Sequence, residues 1–513
     1  MDLEWTSRQV QDEQVMWSIP RVLTLPISRG SNAADDAALF TKIADAIAID
    51  IRRGALRAGD RLPSTRALAR DLGVNRNTVV AAFDELIAQG WLDTDGARGT
   101  RVRADLPPST PLDHGNSSHG VRPLYTNRGQ PDTPGFALRE VAVAITPFGD
   151  EPVEYHVSIG VPDTRLVPHA LLARAYRRAL AGRGARANLD YGSAYGTTRL
   201  REAVAIYLRG RGLSVGVDNV MITRGSQMAI DLAARAVLRP GEVAAVEELG
   251  YQPAWRALAE AGAKLVGVAL DGDGVVVDAI PEKARVLYTT PHHQYPTTVL
   301  LSPSRRLALL ARARAMGTAI IEDDYDHEFH FEGRPVPPLA AMDARNVIYV
   351  GTLSKILAPG LRLGFVAAHA GVIDRLARLR AVVDRQGDHV LESAIAELIE
   401  DGDIARHARK MRRVYAERRD VLANALRREL GGVLTFELPA GGMTLWASVA
   451  PALDLDRWKQ RALAAGVAVA FANDFALARK SRPFVRLGFA HLSPKELVDV
   501  VRRLARAVPK RIR

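Results

Sequence analysis

A long stretch without helical or strand periodicity, about 105–150, constrains the fold of this 513-residue chain more than any other feature. It contains "DLPPSTPLDHGNSSHGVRPLYTNRGQPDTPG", which is dense in proline, glycine, serine and asparagine and shows neither helical nor strand periodicity. Such a composition buries too little apolar surface to offset chain entropy, so we interpret the stretch as a linker, with an irregular packed loop as the alternative. The chain then divides into an N-terminal extension at 1–34, a small unit at 35–104 and a large unit at 151–513.

Short β-rich runs alternate with alanine- and arginine-rich helical stretches in the large unit. The runs are "VAAVEE", "RVLYTT", "TAII" and "VIYVGT", at residues 243–248, 285–290, 318–321 and 347–352. This alternation predicts a mostly parallel α/β sheet, in which ligands bind beyond the carboxyl ends of the strands. Polar clusters follow the runs at those ends: Glu247-Glu248, Thr289-Thr290, Glu322-Asp323-Asp324 and Thr352–Lys355.

Lys355 is unusual in a chain that has sixty arginines and only nine lysines. It lies in the apolar, glycine-bounded stretch "YVGTLSKILAPGLRLGFV". Arginine stays protonated in proteins, whereas a desolvated lysine can lose its proton and act as a nucleophile. Lys355 is therefore a candidate Schiff-base amine, although a lone lysine after serine is more often a surface residue.

A Schiff-base site for pyridoxal phosphate (PLP) also needs an anion at the ring nitrogen, a donor to the ring oxygen, a stacking ring and a phosphate cradle. Asp323, Tyr325 and Tyr251 are candidates for the first three parts. "TRGSQMAIDL" (223–232) opens a helix whose free N–H groups suit a phosphate, and Arg362 could add a cationic clamp. Taken singly, these features are more often a solvated turn, a cation site or a simple helix cap. Their order along the chain favours the PLP site.

The small unit has the pattern of two short helices that meet at a glycine. "LPSTRALARDLG" offers Ser64 as an N-cap and Gly73 as a stop, and "VNRNTVVAAFDELIAQG" starts a second helix. This is the helix-turn-helix arrangement, whose second helix enters the major groove of DNA. Its apolar stripe predicts four exposed residues at the start of that helix, where bases and phosphates are contacted: Asn75, Arg76, Asn77 and Thr78.

A β-hairpin is predicted after the second helix by "GWLDTDGARGTRVRA", with Gly96 and Gly99 at its tip. Arg98, Arg101 and Arg103 surround the tip, as in the wing of a winged helix-turn-helix. Four arginines and one aspartate in residues 61–80 add a positive charge suited to phosphates. A three-helix protein-interaction module is the alternative, but it leaves this charge without a role.

Composition sets limits on location and partners. The 69 Lys and Arg residues exceed the 58 Asp and Glu residues, and the net charge of +11 permits an anionic partner. No apolar run reaches the roughly 18 residues of a membrane helix, and the N-terminus lacks the apolar core of a secretory signal. The chain has no cysteine, which excludes disulfides and thiolate metal sites. We expect a cytoplasmic protein with no membrane contact and no metal site.

Both units resemble known families. "LRAGDRLPSTRALARDLGVNRNTVVAAFDELIAQGW" resembles the winged helix-turn-helix of GntR-type regulators, which implies DNA contacts by Arg66, Arg76, Asn77 and Thr78, with Gly99 at the wing tip. The chain from about 155 to 510 resembles a fold-type I aminotransferase through "LDYGSAYGTTRLREAVAIYL", "TRGSQMAIDL", "TPHHQYPTT", "IIEDDYDHEF", "GTLSKILAPGLRLGF" and "FVRLGF". The combination resembles the MocR subfamily of regulators.

The resemblance implies a role for each candidate residue of the large unit. Lys355 would form the Schiff base with PLP, Asp323 would pair with the pyridinium nitrogen, and Tyr325 would meet the ring oxygen. Arg486 would bind the α-carboxylate of an effector, and Tyr191 would reach the neighbouring subunit's cofactor, which implies a homodimer. The phosphate would be held by Ser226, Gln227, Ser354 and Arg362.

Two departures from the aminotransferase pattern bear on function. "QYPTT" at 294–298 stands where true aminotransferases have Asn-Pro-Thr-Gly, so the asparagine partner of the ring hydroxyl is missing and Thr298 replaces a glycine. Both changes weigh against turnover more than against cofactor binding. The sequence therefore predicts a multidomain, PLP-dependent transcriptional regulator that senses an amino-acid-like effector or PLP itself. An aminotransferase with an accessory DNA-binding unit and a DNA-binding protein with a cofactor-free dimerisation domain are the alternatives.

Overall fold

The computed structural model describes residues 33–95, 99–106, 136–137, 152–182, 184–478 and 482–509, without the side chains of 33–38. The expected extension therefore lies outside the described residues except at 33 and 34. The expected linker lies outside them except at 105–106 and 136–137. The chain forms two compact units, residues 1–138 and 139–513.

Three helices and a hairpin make up the small unit: α1 (Ala33–Arg52), α2 (Thr65–Leu72), α3 (Arg76–Ala88), β1 (Leu92–Thr94) and β2 (Thr100–Val102). The apolar residues at four-residue spacing in α1, Ile43, Ile47 and Ile51, share one core with the inward face of α3. β1 and β2 pair antiparallel, with Leu92 opposite Val102 and both buried in that core. This arrangement is the predicted winged helix-turn-helix.

The turn between α2 and α3 follows from its two end residues. Ser64 caps α2 because its Oγ accepts a hydrogen bond from the amide of Ala67 at 3.2 Å. Gly73 ends the helix at φ +66°, a left-handed conformation that glycine adopts without steric cost. The sequence predicted both ends, and both are confirmed.

The large unit alternates strands and helices, as predicted. Its helices are α4 (His169–Ala181), α5 (Ala185–Asn188), α6 (Thr198–Arg209), α7 (Gly225–Val237), α8 (Gln252–Glu260), α9 (Pro303–Met316), α10 (Leu339–Met342), α11 (Ala370–Val383), α12 (His389–Glu400), α13 (Asp403–Leu430), α14 (Leu455–Ala464) and α15 (Pro494–Ala507). Its strands are β3 (Tyr155–His156), β4 (Val220–Thr223), β5 (Val243–Glu247), β6 (Lys264–Val268), β7 (Leu270–Asp271), β8 (Gly274–Val275), β9 (Ala284–Thr289), β10 (Ala319–Asp324), β11 (Val347–Thr352), β12 (Gly364–Ala367), β13 (Leu434–Thr435), β14 (Thr444–Val449), β15 (Val467–Ala468), β16 (Ala470–Phe471) and β17 (Phe484–Gly488).

Seven strands form the main sheet in the order β4-β12-β11-β10-β9-β5-β6. All neighbours are parallel except β12, which runs antiparallel to both β11 and β4. Successive residues of a strand face opposite sides of a sheet, so Ile320 and Ile321 of β10 enter separate cores. Helices cover both faces, which explains why these strands are apolar throughout rather than alternating.

A second, antiparallel sheet of the order β13-β14-β17-β16 packs with α13, α14 and α15 around its own core. β3 pairs with β15, and the chain then runs past β17, where the amide of Gly488 donates to the carbonyl of Val157. This pairing brings residues 158–160 beside Arg486 of β17. In the described part of the chain, no helix is both long enough and apolar enough to cross a membrane.

Candidate cofactor site and DNA-binding surface

Polar side chains gather at the carboxyl ends of β5, β9, β10 and β11. These strands are parallel neighbours, so their ends lie along one edge of the sheet, where ligands of open α/β sheets bind. The register places Asp323 of β10 opposite Val350 of β11, and Lys355 follows shortly after the end of β11. It places Glu322 opposite Thr289 of β9. The sequence predicted polar clusters at these strand ends, and the sheet brings them together.

Asp323 has one satisfied and one free carboxylate oxygen. Its Oδ2 accepts a hydrogen bond from the hydroxyl of Tyr288 at 2.7 Å, whereas Oδ1 is buried and has no hydrogen-bond partner among the described residues. Burial raises the pKa of Asp323 to about 7, although the Tyr288 hydroxyl favours the ionised form. A cationic N–H group beside Oδ1 would therefore stabilise the carboxylate.

The two acidic neighbours of Asp323 have other partners. Both oxygens of Glu322 accept amide N–H groups at the start of α10, at 2.7 and 2.9 Å. Asp324 Oδ2 accepts the hydroxyl of Tyr349 at 2.7 Å, and Arg211 lies 3.7 Å from the same oxygen. Glu322 thus serves as a helix cap, and Asp324 belongs to a buried network on the side of the strand away from Asp323.

Lys355 is partly buried, and its Nζ donates a hydrogen bond to the carbonyl of Gly160 at 2.7 Å. Burial, followed by the positive charge of nearby Arg486, lowers the pKa of Lys355 to about 8. Lys355 and Asp323 are close enough for the charge of each to shift the pKa of the other. The amine therefore reaches its neutral, nucleophilic form at a much lower pH than a free lysine.

The start of α7 forms an open cradle of backbone N–H groups. α7 begins at Gly225, at φ +77°, and the first amides of a helix have no partner inside it. A Cβ added at Gly364 would lie 2.8 Å from the amide nitrogen of Ser226, so only glycine permits β12 to approach so closely. The Arg362 guanidinium lies over the same turn, with Nη2 3.5 Å from the carbonyl of Arg224. Amides and a cation at one helix start suit an anion.

Ser354 and Gln227 each carry a buried polar atom without a hydrogen-bond partner among the described residues. These atoms are Ser354 Oγ and Gln227 Oε1. The amide of Gln227 is otherwise held, because its Nε2 donates to the carbonyl of Pro253 at 2.9 Å. The free Ser354 hydroxyl is available to a ligand, as predicted for a phosphate contact.

Three tyrosines line the candidate site. The Tyr251 ring lies edge-on to Tyr295, with centroids 5.6 Å apart, and Tyr295 in turn lies 6.2 Å from Tyr325. The hydroxyl of Tyr325 donates to the carbonyl of His293 at 2.9 Å. Tyr325 is expected to donate a hydrogen bond to a cofactor ring oxygen. In this structure its hydroxyl already donates to the backbone.

Arg486 is 4% exposed and lies between an aromatic pair and a backbone segment. Its guanidinium carbon is 4.3 Å from the centroid of Tyr295, and its Nη1 donates to the carbonyl of Ser158 at 2.7 Å. The segment 158–160 thus holds both Arg486 and Lys355. Sequence reasoning missed this segment because both contacts come from backbone carbonyls, which carry no residue-type signal.

Tyr191 stands apart from the other candidate residues. Its side chain is 79% exposed, and the guanidinium carbon of Arg385 lies 4.6 Å from its ring centroid. A residue so exposed is not part of the pocket formed within its own chain.

Glu247 is a buried carboxylate whose organising role the sequence did not reveal. It accepts hydrogen bonds from the hydroxyls of Thr289 at 2.6 Å and Thr290 at 2.9 Å, and from the side-chain amide of Gln294 at 3.1 Å. These bonds fix the start of the "QYPTT" loop. The loop ends at Thr298, which has φ +64°.

The start of α3 differs from the prediction at one residue. Asn75 caps the helix, its Oδ1 accepting the amide of Asn77 at 2.9 Å, and the side chains of Arg76 and Asn77 are exposed as expected. The expected exposure of Thr78 is wrong, because Thr78 is 6% exposed. It lies one turn before buried Ala82, and residues four apart share a helix face.

The remaining predicted DNA contacts lie on α2 and the hairpin. Arg66 is exposed on α2, and Gly99 has φ +96° at the start of β2. Arg101 is exposed, whereas Arg103 pairs with Asp105 at 2.7 Å. Gly96 and Arg98, the other expected tip residues, lie outside the described residues.

Comparison with known proteins places both units in families. Residues 39–102 match the gntR family of bacterial regulatory proteins, and residues 156–504 match aminotransferase class I and II. The chain is 32% identical over 476 residues to the probable rhizopine catabolism regulatory protein MocR of Rhizobium meliloti, covering 92% of this chain and 94% of that protein. It is also 32% identical over 464 residues to the HTH-type transcriptional regulator TauR of Rhodobacter capsulatus, covering 89% and 94%.

Among solved structures, the large unit is similar to LysN, the alpha-aminoadipate aminotransferase of Thermus thermophilus, solved as a complex with N-(5'-phosphopyridoxyl)-L-leucine. The TM-score is 0.64 and the identity 30%, over 69% of this chain and 91% of LysN. The likeness to the regulators spans both units, whereas the likeness to the enzyme covers only the second. The chain therefore belongs to the MocR subfamily of GntR-type transcriptional regulators, in which a winged helix-turn-helix is joined to a fold-type I aminotransferase domain.

Proposed function

We propose that this transcriptional regulator binds PLP at Lys355 and changes its affinity for operator DNA when an amino-acid-like effector, or PLP itself, occupies the large unit. The observation that carries the proposal is that Lys355, whose pKa is about 8, lies within electrostatic reach of Asp323, which has a buried and unpartnered oxygen. Perturbed groups that face each other at a strand-end pocket are typical of functional sites.

The residues of the site fit PLP part by part. The free Oδ1 of Asp323 suits a protonated pyridine nitrogen, and the start of α7 with Arg362 and the Ser354 hydroxyl suits the phosphate. When bound, PLP supplies an aldehyde that reacts with amines, including that of Lys355. Tyr251 would contact the face of the cofactor ring.

Arg486 would recognise the carboxylate of an effector. Guanidinium groups bind carboxylates through two parallel N–H donors. Because Arg486 already holds the carbonyl of Ser158, an incoming carboxylate competes with that contact. The segment 158–160 also holds Lys355, so effector binding at Arg486 would loosen the backbone beside the reactive amine.

Turnover is expected to be slow. Tyr295 stands where aminotransferases have the asparagine that supports the ring oxygen, and the hydroxyl of Tyr325 is bonded to a backbone carbonyl. Amine exchange needs only Lys355 and a free amine, whereas proton transfer on the substrate needs electronic support from the ring. The protein would therefore respond to amines without consuming them quickly.

The functional unit would be a homodimer in which Tyr191 reaches the partner's cofactor. The 79% exposure of this tyrosine supports the proposal, because its side chain is free to enter a site on a partner subunit. For DNA binding we propose Arg66, Arg76 and Asn77 as contacts, with Gly99 in the wing and Asn75 shaping the helix start; buried Thr78 is left out.

Operator binding in the presence of amines tests the proposal. DNA fragments selected by the full-length protein would be titrated by fluorescence anisotropy, with PLP present and with a panel of amino and keto acids. At least one amine should change the affinity of the wild type and of Lys410→Ala, an exposed-lysine control, but not of Lys355→Ala.

Reciprocity provides an internal check, because an effector that changes DNA affinity must itself bind differently when DNA is present. Transamination at ordinary enzyme rates, about 1 per second or faster, with no ligand affecting DNA binding would overturn the proposal in favour of a tethered aminotransferase.

A further inference from the structure

A cluster of four histidines lies beside the candidate cofactor site. The buried histidine cluster consists of His292 and His293, which follow β9, and His327 and His330, which follow β10. His292 and His293 are each 2% exposed and His330 is 7% exposed. The ring of His292 lies 4.5 Å from those of both His293 and His327, and His293 stacks on His330 at 5.8 Å.

Several ring nitrogens in this cluster have no hydrogen-bond partner among the described residues. Both nitrogens of His292, Nε2 of His293 and Nδ1 of His330 are buried and unpartnered. A buried polar group left in this state destabilises a protein, and native structures contain few of them. Four such nitrogens in one place indicate a missing common partner.

His293 has the orientation of a metal ligand. Its Nδ1 lies 2.7 Å from Asp326 Oδ1, so Nδ1 carries the proton and the lone pair is on Nε2. A carboxylate that holds the far nitrogen of a histidine is the usual support of metal-bound imidazole. Gly441 packs against this end of the ring, where a Cβ would lie 2.2 Å from Nε2, so a larger residue at 441 would displace the imidazole.

The spacing of the nitrogens allows one ion to reach three rings. One ligand nitrogen from each of His292, His293 and His330 lies within 4.8 Å of the other two. Three imidazoles suit Zn²⁺ and similar transition-metal ions, which take tetrahedral sites with a fourth ligand. Mg²⁺ and Ca²⁺ prefer oxygen ligands and do not match this set.

We propose that His292, His293 and His330 bind a transition-metal ion of the zinc class, with Asp326 positioning His293. A water molecule would complete the coordination. No cysteine or sequence spacing pointed to this site, and we expected no metal site from the sequence.

A second group, His292, Asp324 and His327, is equally compact but less suitable. Asp324 Oδ2 already accepts the hydroxyl of Tyr349. His327 Nδ1 lies 2.9 Å from the same oxygen, so this imidazole and this carboxylate already contact each other. The three-histidine group is therefore the one to which we assign the ion.

An ion at this place would tie two parts of the candidate cofactor site together. His293 is followed by the "QYPTT" loop, and its carbonyl accepts the hydroxyl of Tyr325. His330 follows the strand that carries Asp323. The metal would therefore hold the start of the "QYPTT" loop against the segment that follows β10.

Zinc binding to the tag-free, full-length protein tests the inference. Protein freed of metal and of PLP would be titrated with Zn²⁺ against a fluorescent chelator. We expect one tightly bound ion per chain, unaffected by millimolar Mg²⁺. Because the titration is done without PLP, its result does not depend on the proposed cofactor chemistry.

Variants separate the site from other histidines. His330→Gln should lose tight binding, and Asp326→Asn should weaken it about 10–100-fold by releasing His293. His169→Gln, on the exposed start of α4, is the matched control and should bind as the wild type does.

A Co²⁺ spectrum of the wild type needs no variant, since tetrahedral nitrogen ligation gives intense visible bands. A wild type that binds no stoichiometric Zn²⁺ and gives no such spectrum would overturn the inference. Equal Zn²⁺ binding by folded His330→Gln and wild type would do the same.

Discussion

At the scale of single residues, the large unit holds three residues in states that they avoid in water. Lys355 has a pKa of about 8, Asp323 has a pKa of about 7, and Thr298 occupies a left-handed backbone conformation. Burial causes the first two shifts, because a low-dielectric environment penalises the charged form. States of this kind persist only where the surrounding structure enforces them, and they concentrate at functional sites.

PLP uptake should depend on pH through Lys355. A lysine is nucleophilic only when neutral, so the rate at which the apo protein gains the visible absorption of bound PLP should rise with pH, with a midpoint near 8 rather than 10.5. Arg486→Gln should move this midpoint upwards, since the charge of Arg486 helps to lower the pKa of Lys355. Stopped-flow absorbance over a pH series measures both. A midpoint that ignores Arg486 would contradict the electrostatic account.

Thr298 should be a point of stored strain. A left-handed conformation costs a non-glycine residue about 1–2 kcal/mol, more than the roughly 0.5–1 kcal/mol of extra chain entropy that glycine brings. Thr298→Gly should therefore raise the free energy of unfolding by up to about 1 kcal/mol, measured by denaturant titration. Thr297→Gly is the control and should lower it, because Thr297 has no positive φ and its hydroxyl donates to Gln294. A destabilised Thr298→Gly would show that the φ angle is not strained.

At the scale of elements, two helices begin where phosphate binding is proposed, and they begin differently. α3 is capped by the side chain of Asn75, whereas the residue before α7, Arg224, makes no side-chain cap. The amides at the start of α7 therefore remain open to a ligand, while α3 uses its cap for stability and presents the next side chains outwards. The open amides of α7 therefore suit the proposed cofactor phosphate, whereas α3 would contact DNA through the side chains that follow its cap.

Neighbouring asparagines of α3 should have separable effects. Asn75→Ala removes the cap and should destabilise the small unit by about 1 kcal/mol. Asn77→Ala should leave stability unchanged and weaken specific DNA binding by about 1–3 kcal/mol, because its exposed side chain is free to reach a base. Thermal unfolding and DNA anisotropy distinguish the two. Unchanged DNA binding by Asn77→Ala would remove this residue from the interface.

At the scale of the whole molecule, Tyr191 is the one predicted cofactor-site residue that lies apart from the others in its own chain. The pocket residues of one protomer already supply a base, an anion and a phosphate cradle, while Tyr191 points to solvent. If Tyr191 serves the partner's site, the homodimer is the unit that binds PLP, and dimerisation is linked to cofactor affinity by mass action.

Mixed dimers test this linkage. Tyr191→Ala and Lys355→Ala homodimers should each bind PLP poorly. A heterodimer of the two variants has two sites, and one of them combines an intact Lys355 with a partner's Tyr191. That one site should bind PLP with wild-type affinity. The visible absorption of refolded mixtures, titrated with PLP, measures the recovery. No recovery in confirmed heterodimers would place Tyr191 outside the partner's site.

The sequence by itself determined the two units, the helix-turn-helix with its caps and the strand-end position of the candidate site. Each of these follows from local information: the spacing of apolar residues, the capping chemistry of Ser64 and Gly73, and polar residues directly after β-rich runs. The motifs around Lys355 also indicated the aminotransferase family, and comparison with known proteins confirmed the family of both units.

Only the tertiary structure decided which member of a local group does what. It assigned different partners to Glu322, Asp323 and Asp324, turned Thr78 into the core, and bonded Tyr325 to a backbone carbonyl. It also joined two distant pairs of histidines into one cluster. These outcomes depend on contacts between residues far apart in the chain, and such contacts leave no periodicity or spacing to read in a single sequence.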